Sequence, residues 1–597
     1  MKDVNGWRLS LSALSIVMAQ SVDADDISII NARIVTMDDA NPTASTLLIA
    51  ENRIVAVGQD APDGGGDEDG ITVIDAGGAV VIPGIIDQHL HWNRSAITWG
   101  YALHRGENAF TLAELEDALR ARAAEVPGGQ WIALIGRHNH RQFLEDPNDP
   151  GSGRYPTRQE LDEWAPEHRV LFSQRFMPGP VGVGRGDFNR ADFSAPGQMN
   201  SSAIAFFNAM TQPVPPVATI PADGALSAEL NQQVYEWTRA NNALEDQIRS
   251  TLDLLRWSHS VGLVGVGDAG GNGFRQTQDF APLIELARSG ELSIRNRYQI
   301  RPSAAPGVPG QAGVDVLRNV LSAAPLAAIH DCVGPPELPG EGFHMSRVGG
   351  PFFRNMGLGE FLSAPNAEAI AAAAVFVLRR PDWSFHQHAE AGQIAAVIEG
   401  LRRAVAVEDP CRIGTFADRH NSLEHLNDAT AEDLAAMAEL GLGAGIQAVR
   451  FLFPDWQFSG PPYRAALDTP GLNVGFGADG MFAGHANPWT TLQFMVTGEA
   501  YNGEDILTMD PLGRGPQQIT LMEGLRGYTR GAAWFTREEH ERGQLKEGYL
   551  ADVVILAQDP FGVGAHRIRE TRAALTIVDG RIVYSDGSVA DALAVNE

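Results

Sequence analysis

The sequence predicts an α/β protein, a parallel β/α barrel accompanied by a small discontinuous β-domain built from both ends of the chain. Three observations lead there. β-like runs crowd both termini, strand-like and helix-like segments alternate between them, and four histidines and an aspartate fall at the ends of strand-like runs.

From Ile27 to Pro83 three runs rich in Ile and Val follow one another: ISIINARIVTM, TLLIAENRIVAVG and ITVIDAGGAVVIPG. Gly, Asp and Pro clusters separate them, and helical periodicity is absent. The same texture returns in GYLADVVILAQDP (548–560) and AALTIVDGRIVYSDG (573–587). The expected division is therefore a β-domain made of 25–84 and 541–597, with a barrel over 85–540 between its parts.

Within the barrel the run from Phe385 to His388 precedes Ile394, Val397, Ile398, Leu401 and Val405, which recur at helical spacing, and SLEHL (422–426) follows. Leu434, Met437 and Ala438 mark a helix that stops at Gly441, with LGAGIQ (442–447) and LNVGFGAD (472–479) beyond it. Upstream, Leu244, Ile248, Leu252 and Leu255 share a helix face that leads into GLVGVGDAG (262–270). A doubly wound open sheet would show the same alternation, but no GxGxxG or GxxxxGK[ST] follows a strand to make a nucleotide site. The turn-rich region 99–241, containing EDPNDPGSGRYP and TQPVPPVATIPADG, is read as barrel elements carrying a large insertion over the mouth.

Residues 1–24 have a weakly basic start (Lys2, Arg8), an apolar and Ser-rich stretch from Leu9 to Ala19, and small residues at Val22 and Ala24. That is the pattern of a secretory signal peptide, which places the mature chain in the periplasm or outside the cell; a cytoplasmic protein with a disordered N-terminus is the alternative. The stretch is too short for a permanent membrane anchor, and no other segment reads as a membrane span. A net charge of −29 over 597 residues, with no run of Lys or Arg, excludes nucleic acid as a natural partner and leaves a small-molecule substrate. Assembly into a homo-oligomer is compatible with the sequence. Cys332 and Cys411 lack CxxC spacing and cannot form a disulfide framework, so both are read as small apolar core residues.

The chemistry gathers at PGIIDQHLHWN. Residues i and i+2 of a strand project to one face, so His89 and His91 would converge at a strand's C-terminal end, where barrel enzymes keep their active sites. The pair alone fits a structural or surface role equally well. His388 in WSFHQHAEAG, His425 in NSLEHLND and Asp479 in VGFGADG end later strand-like runs. Burying so many imidazoles and a carboxylate without partners is costly, and a shared cation supplies the partner.

Together with PTRQELDEWAPEHRVLF (156–172), HAEAG, LEHL, GADG and the closing GQLKEGYLADVVIL and TIVDGRIVY, these runs give a chain that resembles the amidohydrolase superfamily, in its YtcJ-like group, amidohydrolase family 3. The resemblance implies a (β/α)₈ TIM-type barrel beside a small β-sandwich formed by both termini, and hydrolysis of an amide or related C–N bond of a small molecule. It implies that His89, His91, His388, His425 and Asp479 hold one or two Zn²⁺ or other divalent transition-metal ions. An ion so held acidifies water and polarises a carbonyl, and Asp479 would move the proton as catalytic base and then acid.

Many superfamily members bridge two metals with a carboxylated lysine. Here the only lysines are Lys2 and Lys546, both outside the barrel, so a bridge would have to be a carboxylate. Glu360 in NMGLGEFLS resembles the position where some members place one; an exposed loop glutamate and a mononuclear site are the alternative. His386 shares a face with His388 and faces metal, substrate or solvent. Asp268 either lines the same mouth or forms a turn. Arg137, His138, His140 and Arg175 are candidate substrate contacts, and His344 has no assigned role. Rival readings are a lactonase, another esterase or a deaminase of the same superfamily, and a metal- or ligand-binding protein without turnover.

Overall fold

The computed structural model describes residues 26–59, 71–136, 138–174, 196–269, 280–300, 350–359, 367–379, 383–389, 392–409, 412, 414–454, 459–480 and 484–589. Eight parallel strands form its centre: β1 (Ile85–Asp87), β2 (Leu263–Asp268), β3 (Arg295–Ile300), β4 (Phe353–Gly359), β5 (Ser384–Ala389), β6 (Ser422–His425), β7 (Gly443–Gln447) and β8 (Asn473–Gly477). Each is hydrogen-bonded to the next in chain order. The Gln88 N–H donates to the Phe476 carbonyl at 3.3 Å and the Asp479 N–H to the His89 carbonyl at 2.9 Å, so the two edges of this sheet meet in a near-closed barrel. The buried Asp87 carboxylate accepts from the N–H groups of His89 and Ala478, each at 3.0 Å, adding a side-chain link at the same seam.

Amphipathic helices cover the barrel where the apolar spacing places them. Helix Ile394–Ala406 buries Ile394, Val397, Ile398, Leu401 and Ala404 between β5 and β6. Helix Ala431–Leu440 starts at Thr430, whose hydroxyl accepts the Asp433 N–H, and stops at Gly441, which takes the left-handed φ of 71° that glycine adopts without strain. Leu244 and Val405, expected on apolar faces, are instead exposed, because each lies at a helix end where the covered stripe has run out.

The region expected to carry barrel elements with an insertion is built differently. Its strands form a separate five-stranded sheet in the order Ala225–Leu226, Gly197–Met199, Arg169–Ser173, Trp131–Ile135 and Tyr101–Ala102, and none of them joins the barrel. Trp131–Ile135, helix Arg158–Trp164 and Arg169–Ser173 make a parallel β–α–β unit, and alternation alone does not say which sheet such a unit enters. The sheet has its own cores, one around Leu115, Phe143 and Val170 and another around Trp131, Phe207 and Trp237. It meets the barrel just beyond β7, where the Phe110 ring packs edge-on against Phe451 and Asn139 Nδ2 donates to the Leu452 carbonyl at 3.0 Å.

The two chain ends do pair. A six-stranded sheet runs Arg581–Ser585, Ala573–Val578, Val553–Leu556, Val80–Pro83, Arg33–Val35 and Thr43–Ala44, and Val81 faces Ile555 across the junction. A four-stranded sheet, Arg53–Gly58, Thr46–Ala50, Ile27–Ile30 and Thr72–Asp75, is wholly N-terminal. Ile29, Ile49 and Ile74 from the second sheet share one core with Ile34, Val81, Val553, Ile555 and Ile577 from the first. Among the described residues no helix is long and apolar enough to cross a membrane. The expected signal segment and both cysteines lie outside the described residues.

Buried ion pairs fasten the C-terminal segments to the barrel. Arg295 at the start of β3 donates from Nε to Asp552 Oδ2 (3.1 Å) and from Nη2 to Asp579 Oδ1 (2.6 Å). Arg542 links Asp552 (2.8 Å) to Glu538 (2.6 Å), and Arg297 donates from Nε to Glu538 at 3.1 Å. Gly265 of β2 leaves room for this network, since a Cβ there would lie 2.6 Å from the Arg542 guanidinium. Burial works to raise both carboxyls, yet Arg295 and Arg542 hold Asp552 well below its ordinary value, and Arg297 and Arg542 hold Glu538 at about 2. For carboxyls depressed by folding, the stabilisation is fully present above the unfolded value near 4.5 and is lost as the pH falls from there towards 2. Denaturant titrations should therefore show stability declining on acidification through that window, and a flat profile would contradict the assignment. Glu538→Gln, which leaves two guanidiniums short of a counter-charge, should cost about 3–5 kcal/mol at neutral pH.

Candidate metal centre

β1 stops at Asp87, so His89 and His91 lie just beyond the strand that was expected to carry them, and His91 precedes the five-residue helix Trp92–Ala96. Their imidazoles nonetheless converge, with ring centroids 5.5 Å apart and both residues buried. Asp479, two residues past β8, meets them: its Oδ1 lies 3.5 Å from His89 Nε2 and 2.9 Å from His91 Nε2. One ligand-capable atom from each of the three falls within 4.8 Å of the other two. His425, the last residue of β6, brings Nε2 to 4.0 Å from Asp479 Oδ2, and the His388 ring of β5 lies 3.9 Å from that of His425. Five residues named from the sequence thus gather at the C-terminal end of the barrel, His388 half-buried and the other four buried.

The local backbone is bent to make this possible. His425 (φ 73°), Leu426 (φ 59°) and Asp479 (φ 50°) all occupy the left-handed region, a conformation costing roughly 1–3 kcal/mol for a non-glycine residue that the surrounding structure must impose. Asp479 is buried, with Oδ1 facing both His89 and His91. Burial alone would raise the Asp479 pKa, but the imidazoles of His89, His91 and His425 outweigh it and keep the group a carboxylate. Imidazole nitrogens and a carboxylate oxygen converging in this way fit the donor preferences of a zinc-type divalent cation.

Glu424 explains how the cluster is oriented. Its Oε2 lies 3.1 Å from His89 Nδ1, which leaves His89 Nε2 as the nitrogen turned towards Asp479. The same oxygen accepts from Gln88 Nε2 (3.2 Å) and Gln447 Nε2 (2.8 Å), and Ser422 donates to Oε1. Burial would raise the Glu424 pKa, but His89, His386 and Ser422 overcome that and hold it at about 2. Sequence reasoning passed over Glu424 and Gln447. The available signal was the two-residue period of SLEHL, which puts Ser422 and Glu424 on one strand face, where a buried carboxylate demands partners.

His386 shares the inward face of His388 but packs beside Glu424 Oε1 (3.5 Å) and edge-on to Phe535. It is buried, not solvent-facing, and burial pushes its pKa down to about 4, so the imidazole is neutral. Asp268 ends β2, where Oδ2 accepts the Asn93 N–H at 2.8 Å and Oδ1 lies 3.8 Å from His91 Nδ1. His138 contacts the Gly136 carbonyl and the Tyr155 hydroxyl, and His140 contacts Gln174, interactions within the five-stranded sheet's own region. Arg137, Arg175, His344 and Glu360 lie outside the described residues.

A barrel with a His–His–Asp cluster at its C-terminal end defines a class of metal-dependent hydrolases, and comparison with known proteins agrees. The model of the amidohydrolase family matches residues 72–176 and 218–584, and the chain belongs to that family. It is an amidohydrolase, an enzyme acting on carbon–nitrogen bonds. It is 24% identical over 608 aligned residues to the N-substituted formamide deformylase of Arthrobacter pascens, covering 94% of this chain and 98% of that protein. It is 33% identical over 66 residues to the putative amidohydrolase YtcJ of Bacillus subtilis, 11% of this chain and 12% of the relative. Similar solved structures include an uncharacterized metal-dependent hydrolase from Pyrococcus horikoshii (TM-score 0.52, 16% identity, 91% of this chain and 99% of the other). Another is the triazine hydrolase of Arthrobacter aurescens (TM-score 0.52, 17% identity, 95% and 96%).

The orienting role of Glu424 has a measurable consequence. Glu424→Gln keeps the volume but removes the charge that fixes His89, and metal affinity measured by chelator competition should weaken at least about tenfold. Unchanged affinity would mean that His89 is oriented without it.

Proposed function

We propose that the enzyme removes the acyl group from a small N-acyl amine, with N-substituted formamides as the leading substrate class. His89, His91, His388, His425 and Asp479 hold a divalent cation, for which zinc is the best match to the donors. The observation that carries this reading is the buried His–His–Asp cluster, in a chain that aligns nearly end to end with a formamide deformylase.

When bound, the cation polarises the scissile carbonyl and acidifies water. The chain's own residues supply the rest. Glu424 holds His89 in the tautomer that offers Nε2. Asp479, a carboxylate at neutral pH, takes the proton of the attacking water and delivers it to the departing nitrogen. The lysine-carbamate route is closed, because Lys546 is half-exposed in the C-terminal segment, 3.6 Å from Asp38. Glu360, which directly follows β4 in the sequence, is proposed as a bridging carboxylate should two ions bind. The two sheets that share one core are read as a discontinuous β-sandwich domain formed by 25–84 and 541–597. Residues 1–24 are read as an export signal, which puts the mature enzyme in the periplasm or outside the cell.

Amine release should be measured with zinc-loaded protein on N-substituted formamides, longer N-acyl amines and lactones. Turnover confined to lactones would overturn the amide reading. Exhaustive chelation should abolish hydrolysis and added metal should restore it. Asp479→Asn should retain substantial metal while kcat falls at least about a hundredfold, the usual loss on removing a general acid/base. Glu360→Ala should lower the metal content towards one ion per chain; wild-type stoichiometry and turnover would exclude Glu360 as the bridge.

A further inference from the structure

β6 and β7 pair through Ser422–Gly443, Leu423–Ala444 and Glu424–Gly445, and the pairing stops there. At the next residue, His425, the backbone turns left-handed, and its N–H leaves the ladder to be accepted by the side chain of Gln447 Oε1 at 2.6 Å. The other end of the same amide, Nε2, donates to Glu424 Oε2 at 2.8 Å, the oxygen that also meets His89 Nδ1 at 3.1 Å. Gln447 and Glu424 are both fully buried. The carboxylate lies directly over β7 at Gly445, where a Cβ would come within 2.1 Å of Oε2. The amide can face only one way, because its donor end meets an anion and its acceptor end meets an N–H.

We infer that Gln447 is a positioning residue for the metal centre: it locks the left-handed turn that aims His425 and, through Glu424, ties the placement of His425 to that of His89. This rests on the reading of both histidines as metal ligands. Loss of Gln447 should therefore disturb the geometry around the ion as well as the folding stability.

The test loads the metal-free full-length protein with Co²⁺, whose visible absorption bands report ligand geometry, and measures affinity by chelator competition. Gln447→Met keeps the approximate volume and removes both hydrogen bonds. It should weaken Co²⁺ binding about tenfold or more and shift the bands, a change that reduced folding stability alone does not produce. Wild-type bands and affinity in this variant would overturn the inference. If Gln447→Met does not fold, Gln447→Glu, equal in size but with an acceptor in place of the donor facing Glu424, is read in the same way. Failure of both variants to fold would assign Gln447 a structural role and overturn the inference as well. A wild-type protein that binds no Co²⁺ would overturn the metal reading itself, an outcome distinct from normal binding that Gln447 does not influence.

Discussion

Asp479 is a carboxylate buried among imidazoles, and much of the structure serves to hold it there. A buried anion demands either opposite charge or hydrogen bonds. The barrel answers by bringing strand ends from opposite edges of one sheet into contact. The bond from the Asp479 N–H to the His89 carbonyl closes the barrel and at the same time sets the spacing between two site residues. Closure and site geometry are therefore one constraint. The left-handed conformation of Asp479 falls at that seam.

The two ends of the barrel use charge in opposite ways. At the start of β3 the carboxylates and guanidiniums are matched and buried, and they fasten the C-terminal segments in place. At the other end imidazoles and a carboxylate converge, donors of the kind a divalent cation takes. Barrel enzymes in general keep stability at the N-terminal face and chemistry at the C-terminal face, and the charge distribution here follows that division.

Much of this was legible from residues alone. Strands β5 to β8 and helices Ile394–Ala406 and Ala431–Leu440 lie where their apolar spacing places them, and the five candidate site residues stand out by type and by their place at strand ends. The separate sheet of residues 101–226 was not legible, because a β–α–β unit has the same local pattern whichever sheet it joins. The position of His89 and His91 past the end of β1 was hidden for a related reason: the i, i+2 rule gives a shared face, while the convergence is made by contacts with β8 that lie far away in sequence. Glu424 and Gln447 were missed because supporting residues bear no motif of their own. Their partners are supplied by neighbouring strands, and only the three-dimensional arrangement shows that a glycine at 445 makes room for a carboxylate.

The six-stranded sheet has a further consequence, for biosynthesis. Val80–Pro83 pairs with Val553–Leu556, a partner that emerges from the ribosome only after the whole barrel has been synthesised. Until then the N-terminal strands present an open edge, and the shared core of Ile34, Val81, Ile555 and Ile577 cannot assemble. Folding of this region cannot keep pace with synthesis from the N-terminus. A chain lacking Val553–Leu556 would leave Val80–Pro83 with an unpaired edge and the shared core incomplete.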